Sequence, residues 1–178
     1  MRAYQEAYLS DVVENQGKLF DLAAQNYPKK DTVDFINAYM ASKTRKNIDE
    51  SQAYVNTMSA VELWDYFRKT EGYQLKEGKA LEGFLPDWIG EFYAYYQWYY
   101  NIPSSEVVKK VPVDFLVKAY AGLHDLDLAL AVQKVGAVQR RVSQHAGSGG
   151  AFLRGCIFPL QSRRMCNIIT IQDVLCKV

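Results

Sequence analysis

With 178 residues, 49% of them hydrophobic and 13% aromatic, the chain is long and apolar enough to pack one domain, which excludes a disordered polyelectrolyte. No run of about 18 apolar residues occurs, and the opening Met1-Arg2-Ala3-Tyr4-Gln5-Glu6 has no signal-peptide core, which argues for a cytoplasmic protein with no membrane association. The formal charge of +1 conceals a division: residues 1–136 hold 15 Lys/Arg against 19 Asp/Glu, net −4, whereas residues 137–178 hold 6 Lys/Arg against one Asp, net +5.

Along the chain the apolar spacing is helical. Residues 3–26 place Tyr4, Tyr8, Val12, Leu19 and Phe20 on one face of a first helix, with Gly17 a weak point inside it and Tyr27-Pro28 closing it. Asp31 then reads as an N-cap, followed by a helix through Phe35, Ile36, Tyr39 and Met40 whose basic end, Lys43 to Lys46, suits the negative pole of the helix dipole. A short helix over 49–56 comes next. Ser59-Ala60-Val61-Glu62 has the pattern of a capping box, the clearest start signal in the chain, and opens a helix carrying Leu63, Trp64, Tyr66 and Phe67.

The glycines at 72, 78 and 83 mark a loop, with a short extended pairing expected around Tyr73-Gln74-Leu75. Pro86-Asp87 opens a further helix that must stop before Ile102-Pro103. Ser104 or Ser105 caps the next, Pro112 begins another that stops at Gly122, and Asp125 caps a last helix running to Gly136. The expectation is an all-α domain over 1–136, a compact bundle of seven or eight short-to-medium helices.

Residues 137–178 form an atypical C-terminal tail. They are basic and carry all the cysteines (Cys156, Cys166, Cys176) and the run Gly147-Ser148-Gly149-Gly150, while every Trp and Tyr lies before them. So abrupt a change leads one to expect disorder, or an out-of-frame or vector-derived extension.

The most informative segment is Trp88 to Tyr100. Between Phe92 and Tyr100 seven of nine residues are aromatic. At about 100° per residue these rings project around nearly the whole helix and cannot all face one core stripe. A central helix buried on most sides, with its hydroxyls hydrogen-bonded at the margins, accounts for most of them. The remainder point to an interface, since Tyr and Trp are enriched in binding hot spots. Trp88, Glu91, Tyr95, Tyr96, Trp98, Tyr99 and Tyr100 are therefore the candidate partner-binding residues. Rings that stack on nucleobases sit in cationic grooves, whereas the charges here are Asp87 and Glu91, so a basic protein surface suits this face better than nucleic acid.

Lys43, Arg45 and Lys46 form the one compact basic cluster of residues 1–136 and are candidates for phosphate contact, against the commoner reading of a solvated helix end. No phosphate-cradling glycine loop, no nucleophile elbow and no Cys/His set with metal-ligand spacing occurs, so no catalytic residue, metal or cofactor is expected. His124, beside Gly122 and Asp125, reads as a loop or capping residue. Arg140 and His145 match the Arg-x4-His spacing of the helical HEPN ribonucleases, a short pattern that is common by chance.

The stretches Asp11 to Phe20 (DVVENQGKLF), Asp34 to Arg45 (DFINAYMASKTR) and Pro86 to Tyr100 (PDWIGEFYAYYQWYY) resemble a family of small uncharacterised helical proteins from mobile elements of gut Firmicutes, often encoded beside ADP-ribosyltransferase-like toxins. The likeness covers residues 1–136 and brings no catalytic residues with it. It implies an accessory protein that either disables a host defence system, such as a CRISPR nuclease, or neutralises a neighbouring toxin.

Overall fold

The structure, a computed structural model, describes the backbone of residues 4–147 and the side chains of residues 4–140. Among the described residues the chain is helical and has no strand. A 3-10 turn (Glu6–Tyr8) leads into α1 (Leu9–Asn26), α2 (Thr32–Met40), α3 (Lys43–Asp49), α4 (Ala53–Asn56) and α5 (Ala60–Glu71). Then follow α6 (Leu85–Tyr100), α7 (Ser104–Lys110), α8 (Val113–Leu123) and α9 (Leu128–Gly147). The all-α expectation holds. The described residues form nine helices because the stretch expected to give two, residues 31–56, breaks into three.

Ser42 makes the additional break. Its backbone is extended, its hydroxyl donates to the Tyr39 carbonyl at 2.7 Å and accepts from the Arg45 N–H at 3.0 Å, so one side chain closes α2 and caps α3. The basic cluster therefore lies in the first turns of a new helix, not at the end of α2. The capping box at Ser59 forms in full, Glu62 Oε2 accepting from the Ser59 N–H at 2.9 Å, and Gly72 ends α5 in the left-handed region at φ 61°.

In the loop after α5 the extended pairing falls a few residues beyond Tyr73-Gln74-Leu75, as a single antiparallel bridge between Lys30 and Glu77. A Cβ on Gly78 would lie 2.5 Å from that of Asp31, so only glycine lets the loop approach α2 this closely.

The chain divides into two units, one up to Val117 and one from Lys118, with α8 spanning the junction. In the first unit α1 and α6 form the central pair. At their crossing a Cβ on Gly90 would lie 2.6 Å from the Gln16 carbonyl oxygen and 2.7 Å from the Gly17 Cα, so the helices meet backbone to backbone. Gly17, read from sequence as a weak point, is the contact point. Around this pair sits an aromatic core in which Phe35 meets Phe20, Trp64 and Phe67 edge to face at 5.7, 5.3 and 5.8 Å, a geometry worth about 0.5–1.5 kcal/mol per pair beyond burial.

In the second unit Asp127, two residues beyond the expected Asp125, caps α9 by accepting from the Ala129 N–H at 2.9 Å. His124 stacks on Tyr120 and shares a 2.9 Å hydrogen bond with its carbonyl, closing α8 as a capping residue. Helix α9 continues through Gly136 to Gly147, so the compositional shift coincides with no break in the backbone. Cys156, Cys166 and Cys176 lie outside the described residues.

Candidate protein-binding surface

Helix α6 is central because its sequence leaves almost no polar face to give to water. Ile89, Phe92, Tyr93 and Ala94 have no exposed surface, and Trp88, Tyr96 and Trp98 are 8, 4 and 3% exposed. Two of its buried polar groups find backbone partners: Tyr93 Oη donates to the Val111 carbonyl at 2.7 Å, and Trp98 Nε1 donates to the Tyr4 carbonyl at 3.1 Å. Burial with loss of water hydrogen bonds raises the Tyr93 hydroxyl well above its ordinary pKa. Of the candidate binding residues, Trp88, Tyr96 and Trp98 are thus interior. An amphipathic reading that gives a helix one buried stripe undercounts the walls around α6, which include α1, α7 and the segment at Tyr4.

Of the other candidates, Glu91, Tyr95 and Tyr99 form a line, while Tyr100 ends the helix half-buried, its ring 4.9 Å from that of Tyr99. Apart from Leu85 and Tyr100 at its ends, the α6 positions that are not buried are Asp87, Glu91, Tyr95 and Tyr99, each four residues from the next. Spacing of four keeps side chains on one face, so two carboxylates give way to two phenols along a single stripe. Tyr95 and Tyr99 lie ring over ring, 6.2 Å apart at 19°, and Tyr99 is 37% exposed. In the sequence Asp87 stood out as part of a helix start and as a neighbouring charge, not as a binding residue; stepping back by four from Glu91 is the signal that finds it.

The acidic half of the stripe lies over α1. A Cβ on Gly17 would meet Asp87 Oδ1 at 2.7 Å and Glu91 Cγ at 2.8 Å, so the missing side chain is what allows both carboxylates to settle there. Neither has a hydrogen-bond or ion-pair partner among the described residues. Burial first, then repulsion from Asp21 and Glu14, raises Asp87 above the ordinary carboxylate range, with Lys18 opposing; burial, Asp87 and Glu14 do the same to Glu91. Lys18 is itself held by Glu14 one turn away on α1. The helix crossing therefore carries a local excess of negative charge.

The basic cluster does not present itself as a unit. Lys43 and Lys46 are exposed, Lys46 pairing with Glu50 at 3.5 Å, but Arg45 has no exposed surface. Its Nε donates to Ser104 Oγ at 2.8 Å and lies 3.5 Å from Asp49 Oδ1, while Asp49 accepts from the Ser104 N–H and hydroxyl, both at 2.7 Å. Burial raises Asp49 although Arg45 and Ser104 oppose it. Arg45 ties α3 to the start of α7 and cannot reach a phosphate in solvent. The amphipathic position of Arg45, one turn before Asp49, was the only sequence signal for this role.

Arg140 lies on α9, and the side chain of His145 is outside those described. Among the described residues no group of three His, Cys, Asp or Glu is placed to hold a metal, and no helix is long and apolar enough to cross a membrane. No protein-family profile matches the chain, and no curated protein or solved structure is significantly similar to it.

Proposed function

We propose that this protein is a non-enzymatic inhibitor that binds another protein through the outward stripe of α6, with Asp87 and Glu91 answering a basic surface and Tyr95 and Tyr99 supplying aromatic contact. The observation that carries this reading is the stripe itself. On a helix otherwise buried, the residues left outside are acidic and aromatic, and the acidic ones are unpaired and raised in pKa. Unpaired, part-buried carboxylates destabilise the free protein, and a cationic partner relieves that penalty. Tyr is a frequent hot-spot residue because it offers a large contact area with few rotatable bonds.

The preferred target is a host defence nuclease, in the manner of an anti-CRISPR protein from a mobile element, because an acidic helical surface can occupy a cationic nucleic-acid channel. A mobile-element toxin, for which the chain would be an antitoxin-like partner, is the second target class, supported by the resemblance alone. Co-purification of the full chain at low salt with a CRISPR nuclease and with an ADP-ribosyltransferase-like toxin tests both. Capture is expected with the nuclease, lost on raising salt and lost in a Tyr95→Ala/Tyr99→Ala variant that still folds. Capture of the toxin alone replaces the target, and capture of neither removes the reading.

A further inference from the structure

The acidic stripe opens at its lower end into a groove of about 660 Å³ between the second half of α1 and the segment 79–84. Asp21 and Asp87 line it from the two helices, Ala24, Ala80 and Pro28 give it an apolar lining, and Phe84 stands at its edge 82% exposed, the most exposed of the large hydrophobic side chains among the described residues. Gly83, in the left-handed region at φ 65°, turns the backbone just before this ring.

The charges around the groove do not cancel. Lys79 is occupied by Glu82 at 3.3 Å, and Asp21 accepts only from the neutral Gln25 amide, at 2.6 Å. Asp87 has no hydrogen-bond or ion-pair partner among the described residues, and only the field of Lys18, itself held by Glu14, opposes its charge. The groove thus combines two carboxylates without an ion-pair partner, an apolar lining and an open aromatic face.

We propose that this groove is a socket for an arginine side chain presented by a basic protein surface. It rests on the reading of the chain as a binder of such a surface. Arginine is the cation that uses every feature present. Its planar guanidinium takes two carboxylates in a fork, its face stacks on a phenyl ring, and its methylene stem lies against an apolar lining. Lysine offers a point charge with no plane to stack, and nucleic acid would bring phosphates against Asp21, Glu82 and Asp87.

The test is a titration of the 15N-labelled full chain with N-acetyl-arginine amide at low ionic strength, following the backbone amides of Gly83, Phe84 and Asp87. Saturable shifts confined to these amides are expected. They weaken about threefold or more with N-acetyl-lysine amide and vanish with the isosteric, neutral N-acetyl-citrulline amide. Asp87→Asn should abolish them, Phe84→Ala should weaken them and Tyr99→Ala should leave them in place.

Equal shifts with citrulline, shifts spread evenly over the acidic surface, or persistence in Asp87→Asn would overturn the socket, as would no shift at all. The two readings fail separately. If arginine leaves these amides unmoved while capture of a partner still depends on Tyr95 and Tyr99, the socket falls and the binding stripe stands.

Discussion

Arg45 and Asp49 stand one helical turn apart with 3.5 Å between Nε and Oδ1, and the guanidinium reaches no solvent while the carboxylate side chain keeps 13% of its surface exposed. The pair is therefore asymmetric. Removing the carboxylate strands a fully buried cation; removing the guanidinium leaves an anion that still accepts two hydrogen bonds from Ser104 and touches water. Asp49→Ala is expected to cost about 3–5 kcal/mol, the usual loss for breaking a buried pair, and Arg45→Met clearly less. Urea unfolding of the two variants decides it. Equal losses would show that the pair, not the stranded cation, carries the energy.

The crossing of α1 and α6 gives a second ordered comparison. A methyl on Gly90 meets backbone, the Gln16 carbonyl oxygen and the Gly17 Cα, neither of which can swing aside. A methyl on Gly17 chiefly meets the side chains of Asp87 and Glu91, which can move into solvent, although the Asp87 carbonyl at 3.0 Å also crowds it. Gly90→Ala should cost about 1–3 kcal/mol or more by forcing the helices apart. Gly17→Ala should cost less while displacing both carboxylates and weakening partner capture. Melting temperatures and co-purification of the same variants read the two effects, and a Gly17 variant that binds normally would remove the acidic end of the stripe from the interface.

The pH dependence of stability has a definite sign at this surface. Folding raises the pKa of Asp87 and Glu91, so the folded state holds protons more tightly than the unfolded chain. Their contribution is favourable below the ordinary carboxylate range and is lost as pH rises through the raised values, leaving the full penalty at neutral pH. Asp87→Asn/Glu91→Gln should accordingly be more stable than the parent at neutral pH and converge with it in mild acid. Both groups remain partly in water, which screens the penalty, so the gain should stay below about 1 kcal/mol. Chemical denaturation across this range measures the difference, and a variant less stable at neutral pH would contradict the assignment. Asp34 runs the opposite way, held low chiefly by its hydrogen bond from Lys76, so the difference between the two proteins carries the signal, not either profile alone.

What could be read in the sequence follows from the range of the forces involved. Ser59 and Glu62 satisfy each other within three residues, so the start of α5 was visible without any tertiary knowledge. Asp31, Pro86 and the stop before Ile102-Pro103 were legible for the same reason. Ser42 was not, because a serine in a helical stretch becomes a break only when the following turn has somewhere to pack, and Arg45 supplies that by reaching Ser104, 59 residues later. The aromatic excess of α6 signalled a helix too apolar for one face, but which rings stay outside depended on neighbours from α1, α7 and the segment at Tyr4. Trp98 illustrates it: its indole is claimed by the Tyr4 carbonyl, 94 positions away.

The three tryptophans of the chain, Trp64, Trp88 and Trp98, are all interior to the first unit. Tryptophan fluorescence, excited where tyrosine does not absorb, therefore reports on that unit alone, whereas far-ultraviolet circular dichroism also sees the helix from Leu128 onward. An unfolding curve followed by both signals asks whether the segment beyond Val117 melts with the aromatic core or apart from it. Superimposable transitions mean one cooperative block, and a dichroism change without a fluorescence change isolates the second unit, so the placement of the indoles equips the native sequence with its own domain-specific probe.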